Sequence, residues 1–184
     1  MANDGWIEDP VLRQRYRFRR FSDERGEALE IDTWVEPGGG VTPHIHPAME
    51  ERFRVLAGEM TFTSGRARVK AGPGEEVLVP AGRRHAYRNL GSEPVHVVCE
   101  AWPPSTLEDF LTEAAGLSRA GKITGRGFPR GIGAGLDAAA FAHRHREMTV
   151  LLFPPLPPPW LQRIVLAPLA RLGERRRVRA RAAA

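Results

Sequence analysis

Two histidines separated by one residue are the first feature of this sequence that could carry chemistry. In an extended strand, residues i and i+2 point to the same face, so His44 and His46 would present two imidazoles side by side. Glu51 lies at the start of the next candidate strand, where its carboxylate can return towards the same point, and His85 opens a later candidate strand. These four residues are therefore candidate ligands of one metal ion, because imidazole suits transition metals and carboxylate adds a harder oxygen donor.

Three imidazoles and one carboxylate would leave one or two positions free on a five- or six-coordinate metal. Such an open site is suited to catalysis rather than to a purely structural role. The ligand types do not separate the candidate metals, so Fe, Mn, Ni, Co, Cu and Zn are all compatible with the set. The single cysteine, Cys99, excludes an intramolecular disulfide and a thiolate metal cluster.

Short candidate strands separated by glycine and proline turns fill residues 13–102. This pattern favours an antiparallel sandwich or barrel over a parallel α/β sheet. In one strand, Phe53 and Val55 alternate with Arg52 and Arg54, which indicates one inward and one wet face. The predicted strands are Arg15–Phe21, Ala28–Val35, Arg52–Leu56, Met60–Thr63, Ala67–Lys70, Glu76–Val79, His85–Arg88 and Val95–Trp102.

The order and spacing of these residues resemble the two motifs of the cupin superfamily, G(X)5HXH(X)3,4E(X)6G and G(X)5PXG(X)2H(X)3N. The residues that match are Gly38, His44, His46, Glu51 and Gly58 in the first motif and Gly74, Pro80, Gly82, His85 and Asn89 in the second. The resemblance covers roughly residues 28–102. It implies an all-β fold, an antiparallel β-barrel of jelly-roll type, whose mouth holds a metal on His44, His46, Glu51 and His85.

Two adjacent glutamates are compatible with the gap in the first motif. Only Glu51 leaves six residues before Gly58, and it shares the inward parity of Phe53 and Val55. Glu51 is therefore the predicted ligand, and Glu50 is its outward neighbour.

Three aromatic or sulfur-containing side chains are predicted to line the pocket: Phe53, Met60 and Tyr87. Tyr87 is the strongest of them, because it lies two residues from His85 and shares its face. Asn89 and Cys99 are interpreted as structural residues.

A second pair of alternate histidines, His143 and His145, falls in a predicted helix. Residues i and i+2 of a helix lie on different faces, so we expect ordinary solvated histidines there.

The character of the sequence changes after the two prolines at 103 and 104. We predict a cupin barrel with N-terminal strands over residues 1–102, a helical extension over 103–172 and a basic, disordered tail over 173–184. Within the extension the predicted elements are a helix over Thr106–Ala120 capped by Ser105, a helical stretch at Leu136–His145, a stiff spacer at Phe153–Pro159 and an amphipathic helix over Trp160–Leu172.

The positive charge of the chain is concentrated at its C-terminal end. The formal net charge is +5, yet residues 163–184 hold seven arginines and one glutamate, so the rest of the chain is close to neutral. The basic end has no interleaved aromatic residues, and nucleic-acid binding is not predicted. Contact with an anionic membrane surface through this end is a weaker alternative.

No feature of the sequence indicates a signal peptide or a transmembrane segment. We therefore expect a cytoplasmic protein, and a homodimer is the expected assembly. The partner that the resemblance implies is a small-molecule substrate.

The cupin resemblance implies a metal-dependent enzyme, an oxidoreductase most similar to the quercetinase group of dioxygenases. A divalent metal held by three neutral imidazoles and one carboxylate keeps a charge of +1, which can bind an enolate, phenolate or carboxylate oxygen. In this interpretation Glu51 is also the catalytic residue that takes the substrate proton. The alternatives are a non-redox isomerase, cyclase or decarboxylase, and a non-catalytic cupin that binds a small molecule.

Overall fold

Two antiparallel β-sheets form most of the computed structural model, which describes residues 5–125, 127–151 and 159–182. Within these ranges the side chains of residues 151, 159, 160, 162–166, 177 and 179–182 are not described. The strands are β1 (Ile7–Asp9), β2 (Gln14–Asp23), β3 (Gly26–Val35), β4 (Gly40–Ile45), β5 (Glu50–Ala57), β6 (Met60–Ser64), β7 (Ala67–Ala71), β8 (Glu76–Val79), β9 (His85–Arg88), β10 (Val95–Trp102) and β11 (Val150–Leu151).

One sheet has six strands in the order β1-β2-β3-β10-β5-β8, and the other has five in the order β11-β4-β9-β6-β7. Every paired strand in both sheets is antiparallel. This is the predicted jelly-roll type of fold. Among the described residues the two sheets are separate hydrogen-bonded units and do not close into one cylinder.

All eight predicted strands are present, and β8, β9 and β10 have the predicted bounds. Three further strands, β1, β4 and β11, were not delimited from the sequence. β1 and β11 are only three and two residues long, too short for a two-residue period to stand out. β4 ends at Ile45, so His44 lies in the strand and His46 directly follows it.

The alternation along β5 decides which side chains enter the interior. Glu51, Phe53 and Val55 are buried, whereas Arg54 and Leu56 are exposed. The buried face joins a hydrophobic core that includes Leu29, Val55, Met60 and Val97. Glu51 is therefore a carboxylate on a core-facing position, as the parity argument predicted.

Three helices follow or flank the sheets: α1 (Leu107–Arg119), α2 (Gly131–Arg144) and α3 (Pro159–Ala182). α1 lies within its predicted range and packs Leu107 and Ala115 into the core. α2 begins at Gly131, five residues before the predicted start, and ends one residue before His145. Pro168 is accommodated inside α3.

The predicted cap of α1 is wrong. Ser105 has a left-handed backbone (φ 45°), and Thr106 occupies the N-cap without a side-chain cap hydrogen bond. Polar side chains at this end of α1 make tertiary contacts instead: the carboxylate of Glu108 lies 2.8 Å from Nε of Arg20, and Oγ1 of Thr106 lies 3.4 Å from Nδ1 of His145. Tertiary contacts have replaced the local cap.

Residues 173–182 of the tail that was predicted to be disordered are helical, because α3 continues through Ala182; residues 183 and 184 lie outside the described residues. Arginine, alanine and glutamate are good helix formers, so a segment without an apolar stripe can still extend an existing helix. Two contacts anchor it to α2: Glu174 forms an ion pair with Arg144, and Gly173 packs so closely on the Leu136 carbonyl that a Cβ would collide. Most of the predicted spacer, residues 153–158, lies outside the described residues.

The helical part of the chain is joined to the sheets through β11. Val150 pairs with Ile45 and Leu151 with His44, so the segment after α2 becomes an edge strand beside β4. This pairing brings a segment distant in sequence directly against the histidine pair. No helix within the described ranges is long and apolar enough to cross a membrane.

Candidate metal centre

The four predicted ligands converge at one point between the sheets. One ligand atom from each of His44, His46, Glu51 and His85 lies within 4.8 Å of every other. β4 and β9 set His44 opposite His85 in the antiparallel register, and β5 brings Glu51 from the other sheet. The Nε2 atoms of His44 and His46 are 3.1 Å apart, and Oε2 of Glu51 is 2.7 Å from Nε2 of His85.

The three histidines share one hydrogen-bond arrangement on the opposite side of each ring. Nδ1 of His44 lies 2.8 Å from the Thr42 carbonyl, and Nδ1 of His85 lies 2.9 Å from the Arg83 carbonyl. Nδ1 of His46 lies 3.0 Å from the carbonyl of Met148. A carbonyl only accepts, so each Nδ1 carries the proton, and a neutral ring then presents the Nε2 lone pair to the centre. This is how ligating histidines are oriented in metal sites.

The buried polar atoms of the cluster test whether it fits a metal. Oε2 of Glu51 and Nε2 of His85 have no partner with acceptable hydrogen-bond geometry among the described residues, although they lie close together. Both side chains are nearly inaccessible, and so is His46. Burying polar atoms of this kind is energetically costly unless they have a partner. A divalent cation would accept a lone pair from each of the four ligand atoms at once. The residues present therefore fit a metal ion.

Burial and mutual contact shift the pKa values of the cluster. Desolvation, with the neighbouring His85 and His46, lowers the pKa of His44 to about 3, so this ring is neutral. Burial by itself raises the pKa of Glu51, but the three imidazoles outweigh burial and the net shift is downward. Burial opposes a charge on His85, yet the facing carboxylate of Glu51 prevails and raises the pKa of His85. An ionised Glu51 beside a neutral His44 is suited to cation binding.

A sharp turn before β9 connects the two motifs. The turn contains Pro80 and Gly82, and Gly82 has a φ of 75° that favours glycine. The backbone N–H of Gly82 donates to the carbonyl of His46 at 2.8 Å, so the turn that precedes His85 is fixed to the strand that carries the other histidines. Asn89 is fully buried and donates to the carbonyls of Val35 and Glu93, which confirms its structural role.

A cavity of about 400 Å³ extends from the metal centre to α1 and α2. Phe53 and Tyr87 are among its lining residues. Met60 is not among the described lining residues; it is fully buried in the hydrophobic core, so its assignment to the pocket is wrong. Met60 was assigned to the pocket by its residue type, and a large apolar side chain can equally belong to the core of such a fold.

The cavity also contains polar groups of Gln14 and Tyr16, which the sequence did not single out. The hydroxyl of Tyr87 donates to Oε1 of Gln14 at 2.9 Å, and the hydroxyl of Tyr16 donates to the Leu111 carbonyl at 2.7 Å. Burial raises the pKa of both tyrosines. The Met148 carbonyl behind His46 was also missed, and no residue spacing could have identified a backbone acceptor 102 positions away.

The second histidine pair departs from the prediction. His145 is buried, with Nε2 at 3.3 Å from Oε2 of Glu113, rather than solvated. α2 ends at Arg144, so His145 is the C-cap residue and the helical face argument does not apply to it. His143 and His145 both line the cavity, but the described metal cluster includes neither.

Glu50 and Cys99 lie where the sequence predicted, and the histidine at position 96 lies apart from the cluster. The ring of His96 stacks on Trp34 at 4.4 Å and contacts Asp32, away from the centre. Glu50 points outward to Arg25. Cys99 is a buried core residue whose Sγ lies 3.9 Å from Oε1 of Glu51, and burial raises the pKa of its thiol.

Comparison with known proteins places the sheet region in a family. Residues 33–99 match the model of the cupin domain. The uncharacterized protein MJ1618 of Methanocaldococcus jannaschii is 27% identical over 75 residues, which is 41% of this chain and 60% of that protein. The tetracenomycin polyketide synthase protein TcmJ of Streptomyces glaucescens is 29% identical over 69 residues, which is 38% of this chain and 46% of that protein. The chain thus spans less than two thirds of either relative.

Solved structures resemble about half of the chain. The cupin domain of Cnp3 from Schizosaccharomyces pombe has a TM-score of 0.45 and 18% identity, covering 53% of this chain and 69% of that one. KdgF from Halomonas has a TM-score of 0.47 and 14% identity, covering 55% and 89%. The family match covers residues 33–99, which contain both complete motifs, so this part of the chain is identified as a cupin domain.

Proposed function

We propose that this protein is a metal-dependent enzyme that oxygenates a small, largely apolar organic substrate. The observation that carries the proposal is the combination of a four-donor cluster with an apolar cavity of about 400 Å³ that opens directly from it. When bound, a divalent metal would supply a Lewis-acidic, redox-capable centre with positions left for other ligands.

The side chains of the chain have two tasks in this proposal. The three carbonyl-anchored imidazoles hold their Nε2 atoms towards one point, so no reorientation is needed when the ion binds. The apolar walls, which include Phe53 and the α1 residues Phe110 and Leu111, exclude water from the substrate.

Glu51 is the residue to which we assign the proton transfer. Its carboxylate has two oxygens, and they face different partners: Oε2 lies 2.7 Å from His85, whereas Oε1 lies 3.6 Å from His46. One oxygen can therefore remain with the ligand cluster while the other receives a proton from an acidic C–H or O–H group of the substrate.

The proposed reaction balances without an external reductant. Cleavage of one carbon–carbon double bond by dioxygen adds one oxygen atom to each carbon. The substrate supplies the four electrons that reduce dioxygen, and both oxygen atoms enter the product. Dioxygen is the only co-reactant required.

The walls of the cavity favour a conjugated, weakly polar substrate. The charged side chains that line the cavity outside the ligand set, Asp9 and Arg146, already have partners within the protein. Asp9 accepts hydrogen bonds from the backbone N–H groups of Val11 and Leu12. Arg146 contacts Glu147 and the His143 carbonyl. Phenols, enols and 1,3-diketones match such walls better than phosphorylated sugars do. Similarity to a polyketide synthase protein is in keeping with that class.

The test begins with the metal content of protein purified without added metal, followed by oxygen uptake on flavonols, catechols and 1,3-diketones. We expect about one metal per chain and uptake with at least one compound class. Glu51→Gln, which keeps the side-chain volume, should abolish uptake, and the outward neighbour Glu50→Gln serves as the matched control. Full metal loading with no uptake on any compound would overturn the oxygenase assignment. Isomerised or decarboxylated products in those reactions would instead support the non-redox alternative.

A further inference from the structure

Thr149, in the segment that follows α2, has an unsatisfied hydroxyl group. Its side chain is 7% exposed, and Oγ1 has no hydrogen-bond partner among the described residues. The residue lines the cavity that opens from the metal centre. A buried hydroxyl without a partner is unfavourable, so its persistence at a cavity wall points to a partner that occupies the cavity.

The backbone holds Thr149 beside the metal ligands. Val150 pairs with Ile45 and Leu151 with His44, so the antiparallel register brings Thr149 to the level of His46. The preceding carbonyl, that of Met148, accepts from Nδ1 of His46. The N–H groups of Met148 and Thr149 both donate to the His145 carbonyl at 3.0 Å, which fixes the turn. Thr149 is therefore a rigidly mounted group at the metal end of the cavity.

The hydroxyl groups of two tyrosines that line the cavity differ from that of Thr149, because they have hydrogen-bond partners within the protein. Tyr87 donates to Gln14, and Tyr16 donates to the Leu111 carbonyl. These hydroxyls are already satisfied by the protein. Thr149 therefore offers a hydrogen bond that the protein itself does not use.

The rest of the wall is apolar and comes in large part from the helices. α1 contributes Leu107, Phe110 and Leu111, and α2 contributes Ala139 and Phe141. A ligand that fits such walls has an apolar body, and a ligand that satisfies Thr149 carries an oxygen at the end nearest the metal centre.

We infer that Thr149 is a substrate-contact residue whose hydroxyl binds the oxygen function of a phenol or enol with a flat apolar body, in the cavity that the helices close. The inference rests on the proposed function, since it names the substrate class of that site. Thr149 lies outside the cupin-matched residues 33–99, so this contact is a contribution of the helical segment.

The test measures ligand binding rather than turnover. Full-length protein of known metal content is titrated under argon with 2-naphthol and with naphthalene, which has the same body without the hydroxyl, and fluorescence gives the dissociation constants. We expect Thr149→Val to weaken 2-naphthol binding by about three- to tenfold and to leave naphthalene binding unchanged. Thr149→Ser, which retains a hydroxyl, should keep most of the wild-type affinity.

Thr61→Val is the matched control, because Thr61 is equally buried but does not line the cavity. It should change neither dissociation constant, and all variants should keep the wild-type metal content. Equal weakening of 2-naphthol and naphthalene by Thr149→Val would overturn the inference, as would unchanged 2-naphthol binding. Failure of the wild type to bind 2-naphthol would overturn the substrate class.

The two proposals fail in different ways. Absent oxygen uptake together with the predicted Thr149 effect would leave the phenol site standing and remove the oxygenase reaction. Oxygen uptake that is insensitive to Thr149→Val, together with unchanged 2-naphthol binding, would remove the Thr149 contact and leave the proposed enzyme.

Discussion

The sheet region (β1 to β10, Ile7–Trp102) and the helical region (residues 103–182) both build the cavity, but they supply different kinds of groups. The sheets supply side-chain donors, His44, His46, Glu51 and His85, on strands whose pleat fixes their direction. The helical region supplies the carbonyl of Met148 behind a ligand, apolar walls, and an unpaired hydroxyl at Thr149.

This difference separates the groups that hold an ion from those that shape its surroundings. Strand pairing positions the ligands precisely, because the strands β4, β5 and β9 are each hydrogen-bonded to a neighbouring strand on both sides. Residues of α1 and α2 line the cavity together with residues of the sheets, so the cavity lies between the helices and the sheets. A change in the sheets should therefore affect metal binding or global stability. A change in the helical region should affect ligand binding first.

The largest expected effect is on metal binding when a sheet ligand is removed. His85→Ala deletes one of four donors, and we expect metal affinity to fall by more than about 100-fold, since loss of a supporting contact alone costs 10- to 100-fold. Elemental analysis after purification and competition with a chelating dye measure the effect. His96→Ala, on the outer face, is the control. Unchanged metal stoichiometry in His85→Ala would remove this residue from the ligand set.

The next effect separates core from cavity within the sheets. Met60→Ala should lower the free energy of unfolding by about 2–5 kcal/mol, because the side chain is fully buried. It should leave 2-naphthol affinity unchanged, since Met60 does not line the cavity, whereas Phe53→Ala should alter it. Denaturant unfolding and fluorescence titration check the two halves. A change in ligand affinity with Met60→Ala would restore Met60 to the pocket.

A smaller effect measures how far the helical region reaches into the metal centre. The His145 side chain ties the turn before Met148 to α1 through Glu113 and Thr106. His145→Ala should loosen the Met148 carbonyl behind His46 and lower metal affinity by about tenfold, the lower end of the range for such supporting contacts. Chelator competition measures it. Lys122→Ala removes an ion pair with Asp137 elsewhere in the helical region and is the control. If His145→Ala and the wild type bind the metal with equal affinity, the helical region does not support the metal ligands and only lines the cavity.

The smallest effect concerns the outward glutamate of β5. Glu50→Gln removes a partly exposed ion pair with Arg25 and should change the free energy of unfolding by less than about 1 kcal/mol, with no change in metal content. Thermal unfolding and elemental analysis are the measurements. Loss of metal in this variant would reverse the assignment of Glu50 and Glu51.

The wrong predictions concern sequence patterns that are compatible with two different tertiary arrangements. Met60 was assigned to the pocket, but the sequence does not reveal whether a large apolar side chain meets the core or an open cavity. His145 was assigned to a helix that ends one residue earlier, and its burial depends on Glu113, which belongs to another helix. The arginine-rich end was expected to lack structure because it has no interleaved aromatic residues, yet α3 continues into it and makes contacts at Gly173 and Glu174.

The amino-acid sequence by itself determined eight of the ten strands of the sheet region and the identity of the four candidate ligands. The physical reason is that a two-residue period and short fixed offsets are local properties. His44 and His46 could therefore be assigned to one face, and Glu51 to the inward face of its own strand, without knowing the fold. Only the tertiary structure decided what surrounds them. The Met148 carbonyl, the Thr149 hydroxyl and the walls from α1 and α2 reach the centre through pairings across about a hundred residues, and no local pattern encodes such contacts.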